Sequence, residues 1–268
     1  MMRFWWIALF FAPGVAAFGA TDTPPPQIGR GTVVLLHGIG LRSWTLCRLE
    51  HSLEREGYRV VNLTYPSRTM PIEKIGGEWL PAKLRERGVG DERLYFVTHS
   101  MGGIVVRMWL RECGAPPNLA RVVMLAPPNR GSAVADRMKN FRAFRWFMGP
   151  NGHRLGTEEN SVPRSLGPWP KNAGELGVIA GDRSINPLFS AWLKGPNDGA
   201  VAVENAGLEG MSDFVVLHHS HTMLAWRAAT LRQVSAFLRD GRFAPAPTQP
   251  KTGPVTFTKP PGALSSIR

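Results

Sequence analysis

Short apolar runs alternate with amphipathic segments along most of the chain. The runs are rich in β-branched residues and are apolar at nearly every position, which is typical of strands buried on both faces of a parallel sheet. We predict six such strands, at Thr32–Leu36, Arg59–Leu63, Leu94–Thr98, Arg121–Leu125, Leu176–Ala180 and Phe214–Leu217.

Helical patterns fall between the strands. In the segment SWTLCRLEHSLEREG, Leu46, Leu49 and Leu53 recur at helical spacing, and Ser43 can cap the helix start. A second clear pattern, after the last strand, runs from Leu224 to Leu238. Strands that alternate with helices of this length form βαβ units, so the sequence predicts an α/β fold with a mostly parallel sheet flanked by helices.

One long segment between the fourth and fifth strands interrupts this alternation. Residues 137–170 are rich first in Arg and aromatic residues and then in Gly and Pro. We interpret residues 131–172 as a cap-like insertion over the sheet, whose apolar face could meet lipid or simply pack on the sheet.

The two cysteines, Cys47 and Cys113, lie in or at the end of predicted helices. In the predicted fold these helices cover opposite faces of the sheet. A disulfide needs Cα atoms within about 7 Å of each other. We therefore expect both thiols to be free.

The N-terminal residues differ in composition from the rest. Arg3 precedes an apolar run and several small residues within residues 1–20, which is the layout of a secretory signal peptide. The run is short for a membrane span. We expect export, to the periplasm or the medium, with an uncleaved membrane anchor at residues 4–20 as the alternative.

The other boundaries follow from composition as well. Residues 243–268 are rich in Pro, Gly, Ser and Thr, and we predict a disordered tail there. Residues 21–26 form an exposed leader, and residues 27–242 form one folded domain.

The net charge of +12 indicates attraction to anionic surfaces such as phospholipid headgroups, unless the charges are merely scattered over a solvated face. No basic run resembles a nucleic-acid motif, so we expect no nucleic-acid partner. The composition, 43% hydrophobic and 19% charged, excludes a disordered protein.

The motif THSMG places Ser100 between the third strand and a helix. A strand-to-helix turn this tight forces its central residue into a strained conformation and needs small neighbours. Gly102 and Gly103 are small on the helix side, whereas Thr98 replaces the first glycine of the usual Gly-x-Ser-x-Gly pattern. The motif favours a nucleophilic Ser100 over an ordinary hydroxyl in a glycine-rich loop.

The motif HGIG, residues 37–40, follows the first strand. In serine hydrolases of this architecture, the oxyanion hole takes one N–H from the residue after the nucleophile and one from this first loop. We therefore expect Met101 and Ile39 to be the donors. A dinucleotide-binding loop would need glycine where Ser43 stands.

Three histidines, His218, His219 and His221, follow the last strand. That loop carries the catalytic base when the order is Ser, acid, His, and His221 lies furthest from the strand. We prefer His221, with His219 and His218 as alternatives. Spacings such as His-x-x-x-His are missing, so we expect no zinc site.

The acid should follow the fifth strand. Asp198 precedes a glycine and an extended apolar segment, and it is our preferred candidate. Asp182 is nearer to the strand end and is the main alternative, as a turn or capping residue. Asp213 begins the final strand and is a third candidate.

Five motifs, in this order, resemble the α/β-hydrolase superfamily and, within it, bacterial lipases and lipase-like esterases: LLHGIG, VTHSMGGIVVR, LAPPNRGS, NDGAVAV and HSHTML. The resemblance implies a compact α/β-hydrolase fold with a Ser–Asp–His triad at the carboxyl ends of the strands. Here that triad is Ser100, Asp198 and His221. The segment at residues 126–132 is implied to line the acyl pocket.

The resemblance also implies an activity. It is hydrolysis of an acyl or lipid-like carboxylic ester through an acyl-enzyme intermediate, with no metal or organic cofactor. The residues alone leave acyl transfer, thioester or amide cleavage, and a non-catalytic lipid-binding protein open as alternatives.

Overall fold

Six parallel strands form a single sheet in the computed structural model, which describes residues 29–245. The sheet order is β2-β1-β3-β4-β5-β6. All five neighbouring pairs are parallel. The predicted α/β fold with a parallel sheet is confirmed, and the observed strand bounds are β1 Thr32–Leu36, β2 Arg59–Leu63, β3 Leu94–His99, β4 Leu119–Leu125, β5 Glu175–Gly181 and β6 Asp213–Leu217.

Helices connect the strands and cover both faces of the sheet. They are α1 Cys47–Arg55, α2 Ile72–Lys74, α3 Leu80–Glu86, α4 Met101–Cys113, α5 Ala133–Met138, α6 Arg142–Met148, α7 Val162–Ser165, α8 Pro187–Trp192, α9 Val203–Ala206 and α10 Ala228–Asp240. A π-helical turn, Ile75–Trp79, joins α2 to α3. Short 3-10 turns are present at Ser43–Leu46, Gly149–Arg154 and Leu224–Trp226.

The sheet has a buried core on each face because successive side chains of a strand point to opposite sides. On β1, Val34 and Leu36 pack into the layer that contains α4, whereas Val33 and Leu35 pack into the layer that contains α1 and α10. Cys47 begins α1 and Cys113 ends α4, so the two cysteines lie on opposite faces, and both are free thiols as expected.

The segment at residues 131–172 contains α5, α6 and α7 and no strand. Its central helix, α6, has no buried residue. Short helices thus make up the segment that the sequence predicts to be a cap-like insertion. Nowhere in residues 29–245 is there a helix with the length and apolar character to span a membrane.

The folded domain extends past the predicted boundary at Arg242. Phe243 is 8% exposed and its ring lies 4.9 Å from that of Phe237. Its N–H donates to the Asp213 carboxylate at 2.7 Å, and Gln233 donates to the carbonyl of Ala244 at 3.0 Å. A composition signal averaged over a Pro-rich segment cannot detect one anchoring aromatic residue. The predicted signal peptide, the leader and the rest of the tail lie outside the described residues.

Candidate active site

Ser100 occupies a strained turn between β3 and α4. Its backbone has φ 54° and ψ −122°, a positive φ that a residue with a β-carbon rarely adopts. The Ser100 N–H donates to the carbonyl of Leu125 at 2.8 Å, which ties the turn to the end of the neighbouring strand β4. The strained strand-to-helix turn expected from THSMG is thus present despite Thr98.

Glycines allow α4 to begin directly against the sheet. A β-carbon on Gly102 would lie 2.6 Å from the carbonyl oxygen of Leu36, and one on Gly103 would lie 3.0 Å from the Met124 sulfur. Thr98 is fully buried, and its hydroxyl has no hydrogen-bond partner among the described residues. The crowding is therefore on the helix side of Ser100, and the strand side accommodates a threonine at the cost of one unpaired hydroxyl.

Three side chains form a continuous hydrogen-bond chain at the carboxyl edge of the sheet. The Ser100 Oγ lies 3.0 Å from Nε2 of His221, and Nδ1 of His221 lies 2.8 Å from Oδ2 of Asp198. A neutral imidazole has one N–H and one acceptor nitrogen. With Nδ1–H donating to the carboxylate, Nε2 is left to accept the Ser100 hydroxyl proton.

The Asp198 carboxylate is held rigidly from several directions. Its side chain is 1% exposed, and its Oδ1 accepts the N–H groups of Ala200 at 2.9 Å and Val201 at 2.8 Å. The His221 N–H donates to the Asp198 carbonyl at 3.0 Å. Backbone and side-chain contacts together fix the histidine relative to the carboxylate.

The alternative candidates for the base and the acid make no hydrogen bond to Ser100. His218 pairs with Asp182 at 2.9 Å, and both are more exposed than the Asp198–His221 pair. Asp213 accepts the N–H groups of Phe214 and Phe243 near the opposite end of β6. His219 makes no hydrogen bond to Ser100 or Asp198. The structure brings Ser100, Asp198 and His221 together and leaves the other candidates apart.

The expected oxyanion donors flank Ser100. Met101 is the first residue of α4, where an N–H has no acceptor within the helix. Ile39 lines the same cavity as Ser100. Neither amide donates to another group among residues 29–245, whereas the next amide in the loop, that of Gly40, donates to Ser67 Oγ at 3.1 Å. The two expected donors are available to a bound oxygen.

Two further histidines support the site, and neither has a role that the sequence motifs predict. His37 stacks on Tyr65 with ring centroids 4.3 Å apart, and its Nδ1 donates to the Gly38 carbonyl at 2.7 Å. Its Nε2 accepts the Tyr65 N–H at 3.2 Å. Burial lowers the pKa of His37 to about 4, so the ring is neutral and anchors the HGIG loop.

His99 lies beneath the catalytic candidates. It is buried, and its Nε2–H donates to the carbonyl oxygen of His221 at 2.9 Å. Burial and the neighbouring His221 ring lower the pKa of His99 to about 3. Its position immediately before Ser100 in the motif was the only sequence signal that pointed to it.

An apolar cavity of about 270 Å³ opens at Ser100. Phe144, Phe147 and Met148 of α6 form its outer wall, and Val134 and Leu155 add further apolar surface. Pro128 and Ser132 of the segment at residues 126–132 also line it. A cavity of this kind suits an apolar chain attached to a group at Ser100.

Fold and site together define an α/β protein with a Ser–His–Asp constellation on a nucleophile-elbow turn. The chain matches the model of the alpha/beta hydrolase family over residues 33–211. It belongs to the alpha/beta hydrolase family, which confirms the resemblance drawn from the five motifs.

Solved structures with this fold include two bacterial enzymes. The mature form of Bacillus licheniformis lipase BlEst2 matches 80% of this chain and 93% of its own, with a TM-score of 0.63 and 21% identity. Phospholipase PlaB from Legionella pneumophila matches 67% of this chain and 45% of its own, with a TM-score of 0.54 and 20% identity. At these identities the comparisons establish the fold.

A curated relative matches a shorter region. Protein SERAC1 of Mus musculus is 34% identical over 70 residues, which cover 24% of this chain and 11% of that relative. The match therefore spans only a small part of the relative's length.

Proposed function

We propose that this protein is a serine hydrolase that cleaves carboxylic esters through an acyl-enzyme intermediate. One observation carries the proposal: Ser100 Oγ, both ring nitrogens of His221 and the Asp198 carboxylate form one unbroken hydrogen-bond chain that begins at a strained elbow. A serine of ordinary structural function would need neither the strain nor the aligned base.

In this mechanism Ser100 Oγ attacks the ester carbonyl while His221 Nε2 takes its proton. The Ile39 and Met101 N–H groups stabilise the negative oxygen of the tetrahedral intermediate. His221 then gives the proton to the departing alcohol, leaving an acyl group on Ser100. A water molecule repeats the sequence on the acyl-enzyme and releases the carboxylic acid.

Asp198 orients and stabilises the base. Its contact with Nδ1 selects the tautomer whose Nε2 can accept a proton, and its charge stabilises the imidazolium formed after each transfer. The two backbone N–H groups that bind its other oxygen hold the carboxylate in place.

The apolar cavity of about 270 Å³ supports an acyl or lipid-like ester as the substrate. Its wall is formed largely by the cap-like insertion, so the length of acyl chain accepted depends on α6. Matched p-nitrophenyl esters of increasing chain length would define that limit.

Labelling with a fluorophosphonate probe tests the nucleophile directly. We expect the full chain to be labelled, Ser100→Ala to be unlabelled, and Ser52→Ala on α1 to be labelled normally. Well-folded native protein that resists the probe would contradict the hydrolase proposal. An oxyester and a thioester with the same acyl chain then separate the two ester classes. Hydrolysis of the thioester without hydrolysis of the matched oxyester would contradict the oxyester assignment.

A further inference from the structure

A second, larger cavity adjoins the candidate active site. It has a volume of about 640 Å³ and is lined by residues 40–42, residues 64–69, Trp79 and Trp146. We call it the arginine-lined cavity, because Arg42 and Arg68 both border it. The loops that form it follow β1 and β2, so it opens at the same edge of the sheet as Ser100.

The two cavities share a thin wall. Leu41 borders both of them. On α6, Trp146 borders the arginine-lined cavity and the next residue, Phe147, borders the apolar one. A β-carbon on Gly40 would lie 3.7 Å from Phe147 and 3.8 Å from Arg68, at ordinary contact distance, so both side chains lie close to the HGIG loop. An ester bound at Ser100 thus has an apolar space and a polar space within reach.

The positive charge of the arginine-lined cavity is not neutralised within the described residues. Arg42 is exposed, and its side chain makes no hydrogen bond or ion pair there. None of the residues lining the cavity is acidic. By contrast, Arg154 in the cap is paired with Glu73.

Arg68 is held in place without a carboxylate. Its guanidinium lies 5.0 Å from the Phe147 ring centroid and 5.8 Å from that of Trp146, and its Nη2 donates to the Trp146 carbonyl at 3.2 Å. Its Nε has no acceptor among residues 29–245. Stacking on two rings orders the guanidinium while leaving its charge available to a bound anion.

We propose that the arginine-lined cavity binds a phosphate group on the alcohol portion of the ester, while the apolar cavity binds the acyl chain. The substrate class is then a glycerophospholipid-like ester. Guanidinium groups from two separate loops can bind different oxygens of a tetrahedral phosphate, which has more acceptor oxygens, spread over more directions, than a planar carboxylate. This inference rests on the proposed serine hydrolase function.

A matched set of soluble esters tests the inference. It consists of 1-decanoylglycerol 3-phosphate, neutral 1-decanoylglycerol and the decanoyl ester of glyceric acid, all used as monomers in solution. The measured quantity is the ratio of kcat/KM for each anionic ester to that for the neutral ester. We expect the native protein to prefer the phosphate ester. An equal preference for the carboxylate ester would overturn the phosphate assignment.

Substitution of the arginines tests whether they cause the preference for the phosphate ester. We expect Arg42→Ala and Arg68→Ala each to lower the phosphate preference about tenfold, since each removes a charge-assisted contact. Arg87→Ala removes an exposed arginine at the end of α3, near the amino ends of the strands, and should leave the ratio unchanged. If Arg68→Ala does not fold, Arg42→Ala still decides the question, because the Arg42 side chain makes no contact that the fold needs.

The outcomes separate this inference from the proposed function. If the native protein cleaves all three esters at similar rates and the arginine variants do not change the ratio, the phosphate site is wrong and the hydrolase stands. If the native protein cleaves none of the esters and fluorophosphonate does not label it, the proposed function itself is wrong.

Discussion

His99 donates a hydrogen bond from its ring to the backbone carbonyl of His221, across 2.9 Å. His99 thereby positions the backbone of His221, and the ring of His221 contacts Ser100 and Asp198. His99, the residue before Ser100, is thus linked to His221 as well as to the elbow.

Removing this donor should impair both catalysis and folding. His99→Phe leaves the His221 carbonyl buried without its partner, at a cost of about 1–3 kcal/mol. We expect kcat to fall at least about tenfold, because a small displacement of the base weakens proton transfer. His99→Gln retains an N–H donor and should recover most of the activity. Steady-state kinetics and thermal melting of both variants check this, and equal kcat values for the two would argue against the positioning role.

Lowering the pH should reduce the stability of the folded protein before most carboxylates become protonated. Burial lowers the pKa of His37 to about 4 and that of His99 to about 3, whereas an unfolded histidine titrates near about 6.5. Between these values the unfolded chain binds protons that the folded chain does not. Stability is therefore complete above about pH 6.5 and falls below it, by up to about 1.4 kcal/mol per pH unit for each histidine.

Urea unfolding at about pH 7.5 and about pH 5 measures this loss. His99→Gln lacks one of the two titrating rings and should lose less stability over the same interval. A free energy of unfolding that does not change between the two pH values in the native protein would show that these rings titrate normally.

The acid can be assigned by a pair of isosteric changes. Asp198→Asn keeps the shape of the side chain but removes the charge that selects the His221 tautomer, so kcat should fall about 10³- to 10⁴-fold. Asp182→Asn disrupts only the exposed pair with His218 and should stay within about twofold of the native protein. Ester hydrolysis at pH 7 to 8 compares them, and full activity in Asp198→Asn would refute its role.

Thr98 offers a test of the unpaired hydroxyl beside the elbow. Thr98→Val preserves shape and removes a buried group without a partner, so stability should be unchanged or rise by about 1 kcal/mol. Thr32→Val is the matched control, because the equally buried Thr32 hydroxyl donates to Glu92 at 2.6 Å. That change should destabilise the protein by about 1 kcal/mol. Chemical denaturation of both variants should therefore give effects that differ in direction, and a similar loss in both would mean that Thr98 has a partner.

Local patterns predicted much of this molecule. Strands such as Thr32–Leu36 were found because a sheet covered on both faces requires an unbroken apolar run. Ser100, Asp198 and His221 were chosen by their order along the chain, and the fold places them within hydrogen-bonding distance.

Other features depend on contacts that no local pattern encodes. His99 and His221 are 122 positions apart, and only the packed fold shows that the ring of one reaches the carbonyl of the other. The Pro-rich neighbours of Phe243 predict that it belongs to the tail, although its ring packs on Phe237. The arginine-lined cavity unites residues from two loops, a π-helical turn and the cap, and none of these segments suggests it alone.

Helix α6 is seven residues long and stands between the two cavities without a single buried residue. Trp146 borders one cavity and Phe147 the other, so two consecutive residues contribute to the walls of both proposed binding sites. Because no residue of α6 is buried in the core, the whole helix can be replaced by its counterpart from a related protein without disturbing the sheet. We expect such an exchange to change the preference for the acyl chain and for the alcohol together, in a single step.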